Sequence, residues 1–136
     1  MLTSKSCVIL LLTLDVNLYL LYKLAVEVTF KDKKLHKICN SDADLQRKYG
    51  KPCARKFRAR LDDLAAAPTL ETLRHLPGRC HELKADKKGQ LSLDLDHPLR
   101  LLFEPSGDGV KTKDDGGLDW NSVSAVQILG VEDTHD

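Results

Sequence analysis

Five side chains in the second half of the chain are of types that together could cleave a phosphodiester: His81, Lys84, Arg100, Asp133 and His135. Lys84 and Arg100 could bind and neutralise a phosphate, and arginine offers a bidentate fork for it. His135 titrates near neutral pH and could move a proton. His81 is a second acid/base or substrate-orienting candidate, and Asp133 could orient His135 or the substrate. This set suits cleavage of RNA by its own 2′-hydroxyl. A base takes the hydroxyl proton, cations stabilise the pentacovalent charge, and an acid protonates the leaving 5′-oxygen. That route calls for no metal and no cofactor. Each residue type is also common as a plain surface charge, so the set is not specific by itself. His81 and Lys84 are three apart, and a flat strand would aim them at opposite faces unless a twist or bulge intervenes.

Other chemistries lack their signatures. No GxxxxGK[ST] or GxGxxG follows a strand pattern, no GxSxG marks a hydrolase serine, and no HExxH occurs. Cys80 and His81 are neighbours in sequence, but a nucleophile and its base must be paired in space. They read as a buried strand cysteine beside a surface histidine.

The elements that must carry the five residues are legible as strands. Cys80–Lys84 is a short strand candidate, followed by a polar loop at 85–89. Leu91-Ser92-Leu93-Asp94-Leu95-Asp96 alternates strictly. His97-Pro98 turns the chain into Leu99–Glu104. A long polar loop, Pro105–Gly117, precedes a last strand over Val123–Val131. Upstream, Val26–Phe30 alternates as a half-buried strand. Leu35, Ile38, Cys39, Leu45 and Tyr49 recur at helical spacing, broken at Asn40-Ser41-Asp42, which could cap a new turn. Gly50 and Pro52 separate that helix from a second, whose apolar stripe is Cys53, Phe57, Leu61 and Leu64. A short helical patch at Leu70–Leu73 and a Pro77-Gly78 turn lead into the strands. The expected architecture is an α+β domain with two N-terminal helices packed on an antiparallel-rich sheet of about four to five strands.

The whole chain has 136 residues, enough for one domain and little more. It is 42% hydrophobic and 30% charged with a net charge of +1, which excludes wholesale disorder and a strongly basic or acidic tail. The average hides a division. Lys23–Arg60 holds twelve basic and four acidic residues, a local net charge of +8, whereas Glu104–Asp136 sums to −6. Such a surface could hold a polyanion on one part and a basic partner on another, although solvated helix faces are also commonly charged. Four cysteines without a CxxC pair suit a reducing, cytoplasmic setting. Residues 1–25 are leucine-rich, but Asp15 and Asn17 interrupt the apolar run. A secretory signal, a membrane segment and a true start near Val26 are the three readings. The third is preferred, because the pattern from Val26 onward forms a complete small domain.

From Val26 to the end the chain resembles the HigB-type toxins of the RelE/ParE superfamily. The resemblance is carried by VEVTFKDKKLHKIC, by LPGRCHELKADKKGQLSLDLDHPLRLLFEP and by VQILGVEDTHD. It implies a microbial-RNase-like fold and ribosome-dependent cleavage of mRNA by the toxin of a type II toxin–antitoxin pair. It also implies a cognate HigA-type antitoxin, through which alone operator DNA would be met. Position by position, the family's strand histidine and lysine fall on His81 and Lys84, and its penultimate-strand arginine falls on Arg100. Its C-terminal triplet falls on Asp133, Thr134 and His135. The family usually has tyrosine where this chain has Thr134, which has no ring to stack on a base. Lys48, Lys51, Arg55, Lys56 and Arg58 are the candidates to bind RNA on the ribosome. No membrane partner is expected unless residues 1–25 are present. Two alternatives remain at this point. One is a gyrase inhibitor of the ParE type, against which the joint presence of Lys84, Arg100 and His135 argues. The other is a decayed toxin that only binds its antitoxin, which Thr134 keeps open.

Overall fold

The computed structural model describes residues 25–133. The segment 1–24 and the residues Thr134, His135 and Asp136 lie outside them, and with them fall the N-terminal extension and one of the five candidate site residues. The described residues begin with β1 (Glu27–Phe30) and continue with α1 (Lys33–Cys39), α2 (Asp42–Tyr49) and α3 (Lys51–Ala66). A 3-10 segment, Leu70–His75, leads to β2 (His81–Glu82), β3 (Leu91–Asp94), β4 (Leu99–Pro105) and β5 (Ala125–Asp133).

The first helical stretch is two helices, so among the described residues three α-helices stand where two were expected. Ser41 is extended, and its hydroxyl accepts from the Asp44 amide at 3.2 Å, capping α2. Asp32 caps α1 in the same way, accepting from the Lys34 amide at 2.8 Å. Gly50, with φ +84°, ends α2, and Pro52 opens α3, where its missing N–H is not needed. Exchange of Ser41 for alanine should destabilise the fold by about 1 kcal/mol. A urea unfolding midpoint shows whether it does; an unchanged midpoint would mean that the cap contributes nothing.

The five strands form one sheet in the order β1-β5-β4-β3-β2. β5 pairs in parallel with β1 and antiparallel with β4, and β4–β3 and β3–β2 are antiparallel, so the sheet is mixed. Leu91, Leu93, Leu101, Phe103, Val126 and Ile128 alternate along their strands and share one buried core with Leu35, Leu45, Phe57, Leu61 and Leu64 of the helices. Trp120 and Val123 close it below the 3-10 segment. The expected polar loop after β4 is partly structured: Thr112 bridges Leu118, and Glu82 accepts from the Leu118 amide and from Trp120 Nε1, at 2.9 and 3.1 Å. Among the described residues, no helix is long and apolar enough to cross a membrane.

Strand register decides what lies on the other side of the sheet. Asp94, Arg100 and Glu132 are cross-strand partners in one row, and His81, Ser92, Leu102 and Gly130 in the next. Along β5 the register slips by one residue: Leu102 faces Gly130 while Phe103 faces Ile128, leaving Leu129 unpaired. Without this bulge Glu132 would share the core-facing parity of Val126 and Ile128. With it, Val131 packs against the core and Glu132 turns out beside Arg100.

Candidate active site on the open sheet face

β2 presents His81 at the edge of the sheet. Gly78 and Arg79 make the turn before it, with φ of +109° and +47°. Gly78 is required there, because a Cβ would lie 2.8 Å from Arg60 Cδ and 3.2 Å from Leu93 Cδ2. The turn aims the Arg79 carbonyl at His81 Nδ1, 2.7 Å away. A carbonyl only accepts, so Nδ1 carries the proton and donates. Nε2 is left as the basic nitrogen, 3.4 Å from the Ser92 hydroxyl. A neutral imidazole fixed in this tautomer can accept a proton at Nε2. Cys80 beside it is no nucleophile. Burial pushes its thiol up to about 12, so it stays protonated at neutral pH.

Arg100 lies in the same area. His81 and Arg100 line one cavity of about 280 Å³, together with Arg79, Asp94, His97 and Pro98. Arg79 Nε donates to Asp94 at 2.6 Å. Arg100 Nη2 donates to Glu132 Oε2 at 3.1 Å, and Lys87 Nζ stands 3.3 Å from Glu132 Oε1. Both cations therefore converge on one carboxylate. Burial pushes the Glu132 carboxyl up, but hydrogen bonds from Arg100 and Lys87, helped by their charge, outweigh it and hold the carboxyl below its ordinary range. Arg100 Nε is buried and has no hydrogen-bond partner among the described residues, so half of the guanidinium fork is unused.

A depressed folded-state value has a defined sign. The clamp contributes stability above the unfolded carboxylate value, and that contribution is lost as pH falls through the folded value. The stability advantage of the native chain over Glu132→Gln should therefore narrow as the solution is made strongly acid. Urea midpoints of the two proteins measured across that range check this, and a constant gap would refute it.

Lys84 is placed elsewhere. β2 ends at Glu82, and Lys84 is extended, with φ −124° and ψ 176°. It therefore lies past the end of the strand that carries His81. Lys84 lines the larger cavity of about 850 Å³ between the β2–β3 hairpin and the loop after β4, with Glu82, Lys88, Val110 and Lys113. Ala85, at φ +59°, reverses the chain, and the short 3-10 turn Ala85–Lys87 brings Lys87 back to Glu132. Asp133 is exposed and stands opposite Leu99 at the end of the β4–β5 ladder. His135 is outside the described residues. The structure thus joins His81 and Arg100 from the sequence-derived set and adds Lys87 and Glu132, which sequence reasoning missed. Lys87 was hidden in a loop rich in lysine, and Glu132 behind a bulge that strand periodicity does not announce.

The basic helical candidates divide. Lys48, Lys51 and Arg55 are exposed, with Lys48 Nζ 5.5 Å from the centre of the Tyr49 ring. Lys56 is exposed and bridges Asp96 at 3.2 Å, a contact weak enough to exchange. Arg58 is a structural pin. It is mostly buried, bridges Asp42 at 3.0 Å and donates to the Cys39 carbonyl, tying α3 to α1 and α2.

The fold has a counterpart among solved structures. A YoeB/ParE toxin from Agrobacterium tumefaciens superposes with a TM-score of 0.50 over 79% of this chain and 98% of its own, at 11% identity. The chain has the fold of that toxin. A YoeB dimer from Staphylococcus aureus matches with a TM-score of 0.43 over 77% of this chain and 92% of its own, at 16% identity. A YoeB–YefM complex from the same organism matches with a TM-score of 0.45 over 79% and 94%, at 14% identity. The sequence matches no family model and no curated protein.

Proposed function

We propose that the chain is a toxin of the RelE/ParE superfamily, of the HigB type, that cleaves mRNA on the ribosome and is held silent by an antitoxin. The observations that carry this reading are two: His81 and Arg100 line one cavity, and Arg100 shares the Glu132 carboxylate with Lys87, so a base and a cation stand together with a second cation next to that cation. The toxin-like fold is consistent with it. In the proposed reaction His81 Nε2 takes the 2′-hydroxyl proton, and the 2′-oxygen attacks the adjacent phosphorus. Arg100 and Lys87 stabilise the charge that builds on the non-bridging oxygens. His135, assigned from sequence alone, supplies the proton to the leaving 5′-oxygen, and Asp133 orients it. The bonds balance as a transesterification, leaving a 2′,3′-cyclic phosphate and a free 5′-hydroxyl. Lys84 lines the adjoining cavity and is assigned to the RNA backbone. Lys48, Lys51, Arg55 and Lys56 face the ribosome, while Arg58 serves the fold. The Thr134 position is assigned no part in the proton transfers.

Primer extension on a message translated in a reconstituted system tests the reading, with the full chain set beside His81→Ala and His135→Ala. Ribosome-dependent cuts that both variants weaken are expected. An intact message, with protein shown to be folded, would overturn the nuclease reading in favour of a toxin that acts by binding alone.

A further inference from the structure

Two cations that share one internal carboxylate, while half of a guanidinium fork is left without a partner, describe a site built for a different anion. Arg100 Nη2 holds Glu132 Oε2 and Lys87 Nζ holds Oε1, one oxygen each. Arg100 Nε, buried on the same group, donates to nothing among the described residues. Its side chain is 20% exposed and that of Lys87 34%, so solvent reaches part of each, while Arg100 Nε itself is covered. A carboxylate and a phosphodiester each carry one negative charge over two terminal oxygens. Tetrahedral phosphate, however, sets its oxygens farther apart and offers more acceptor positions than a planar carboxylate. A phosphate that took the place of the carboxylate could keep the Lys87 contact and the Nη2 contact, and a turn of the guanidinium that uncovers Nε would complete a bidentate pair.

We propose that Glu132 is an internal occupant of the phosphate site: its carboxylate holds Arg100 and Lys87 together in the free protein, and the phosphate of the substrate displaces it. The inference rests on the reading of this face as a phosphodiester site. It adds that the free protein is self-masked there. The exchange is neutral in charge, because one monoanion leaves the two cations as another arrives. It keeps Arg100 and Lys87 ordered between turnovers, since two neighbouring cations with no anion would repel each other and swing apart. It also lowers the affinity for any stray phosphate, because only the fraction of molecules with the carboxylate displaced can bind. Glu132 is thus a positioning residue whose removal should strengthen binding of the anion while loosening the cations that it organises.

The test uses the full chain and inorganic phosphate as the probe. Phosphate affinity is measured by NMR titration for the native protein, for Glu132→Gln and for Glu132→Gln combined with Lys87→Gln. Glu132→Gln should bind phosphate about tenfold more tightly, as for a site masked in about nine molecules of ten, and the second substitution should abolish the gain. Equal affinity of the native protein and Glu132→Gln would overturn the proposal. A gain that survives Lys87→Gln would overturn it too, since phosphate would then sit elsewhere on the basic surface. If Glu132→Gln fails to fold, the native protein alone decides. The Glu132 side-chain carboxyl carbon and Lys87 Nζ resonances should move together as phosphate is added, and a stationary Glu132 signal overturns the displacement. The cleavage assay separates this inference from the functional reading. Ribosome-dependent cuts with unchanged phosphate affinity sink only the masking carboxylate. Tighter phosphate binding in Glu132→Gln, with no cleavage by the native chain, leaves the anion site standing and sinks the nuclease.

Discussion

Replacement of Arg100 by alanine is expected to lower message cleavage by about two to three orders of magnitude, the range for losing one preorganised group that stabilises transition-state charge. The guanidinium is held by its place on β4, with Asp94 and Glu132 as cross-strand neighbours, so it is in position before substrate arrives. Lys87, on a short turn, cannot replace it: a lysine offers a point charge, not a planar fork. The fold should survive. Leu101 and Phe103 alternate with Arg100 and pack into the core on the opposite side of β4, and the substitution leaves them untouched. The variant should also titrate Glu132 closer to an ordinary carboxylate, because one of its two hydrogen-bonding cations is gone. Primer extension gives the cleavage rate and a thermal melt confirms folding. Cleavage at the native rate would remove Arg100 from the site.

The largest expected effect on stability is at Phe57. Its side chain is fully buried at the centre of α3 and packs at 5.6 Å from the Tyr49 ring, so one residue joins α2, α3 and the sheet. Phe57→Ala removes that volume from a core with helices on one side only, and should cost about 3–5 kcal/mol. For a domain of this size that lowers the melting temperature by more than about 10 °C. Phe57→Leu, which keeps most of the volume, should recover most of the loss. Calorimetry or a urea titration measures both. A loss below about 1 kcal/mol for the alanine variant would mean that the helices close over the gap.

The sheet strands were legible because their leucines alternate: Leu91 and Leu93, then Leu101 and Phe103, are the buried positions of β3 and β4. The stripe of Cys53, Phe57, Leu61 and Leu64 was legible for the same reason at helical period, and all four are buried. The break at Asn40-Ser41-Asp42 was visible as a cap, but propensity does not tell a kink from the end of a helix. Only the extended backbone at Ser41 separates α1 from α2. The shared cavity of His81 and Arg100 agrees with a grouping made from residue type, whereas Lys84, grouped with them from sequence, lines a different cavity. The site was not legible at Glu132, because one unpaired residue, Leu129, reverses the faces of everything after it. Lys87 was equally hidden, since its direction is set by a left-handed alanine two residues earlier, and nothing in the type of Ala85 signals that conformation.

The strand order carries a consequence for how the chain comes into being. β5 is the last described strand to be synthesised, yet it lies in the interior of the sheet, with β1 on one side and β4 on the other. Until it arrives, β1 has no strand partner and β4 exposes an unpaired edge. The same late strand brings Glu132, so the cations at Arg100 and Lys87 are made well before the carboxylate that organises them. A growing chain is therefore an open sheet with a scattered site, and it closes into an assembled one only when β5 slots in.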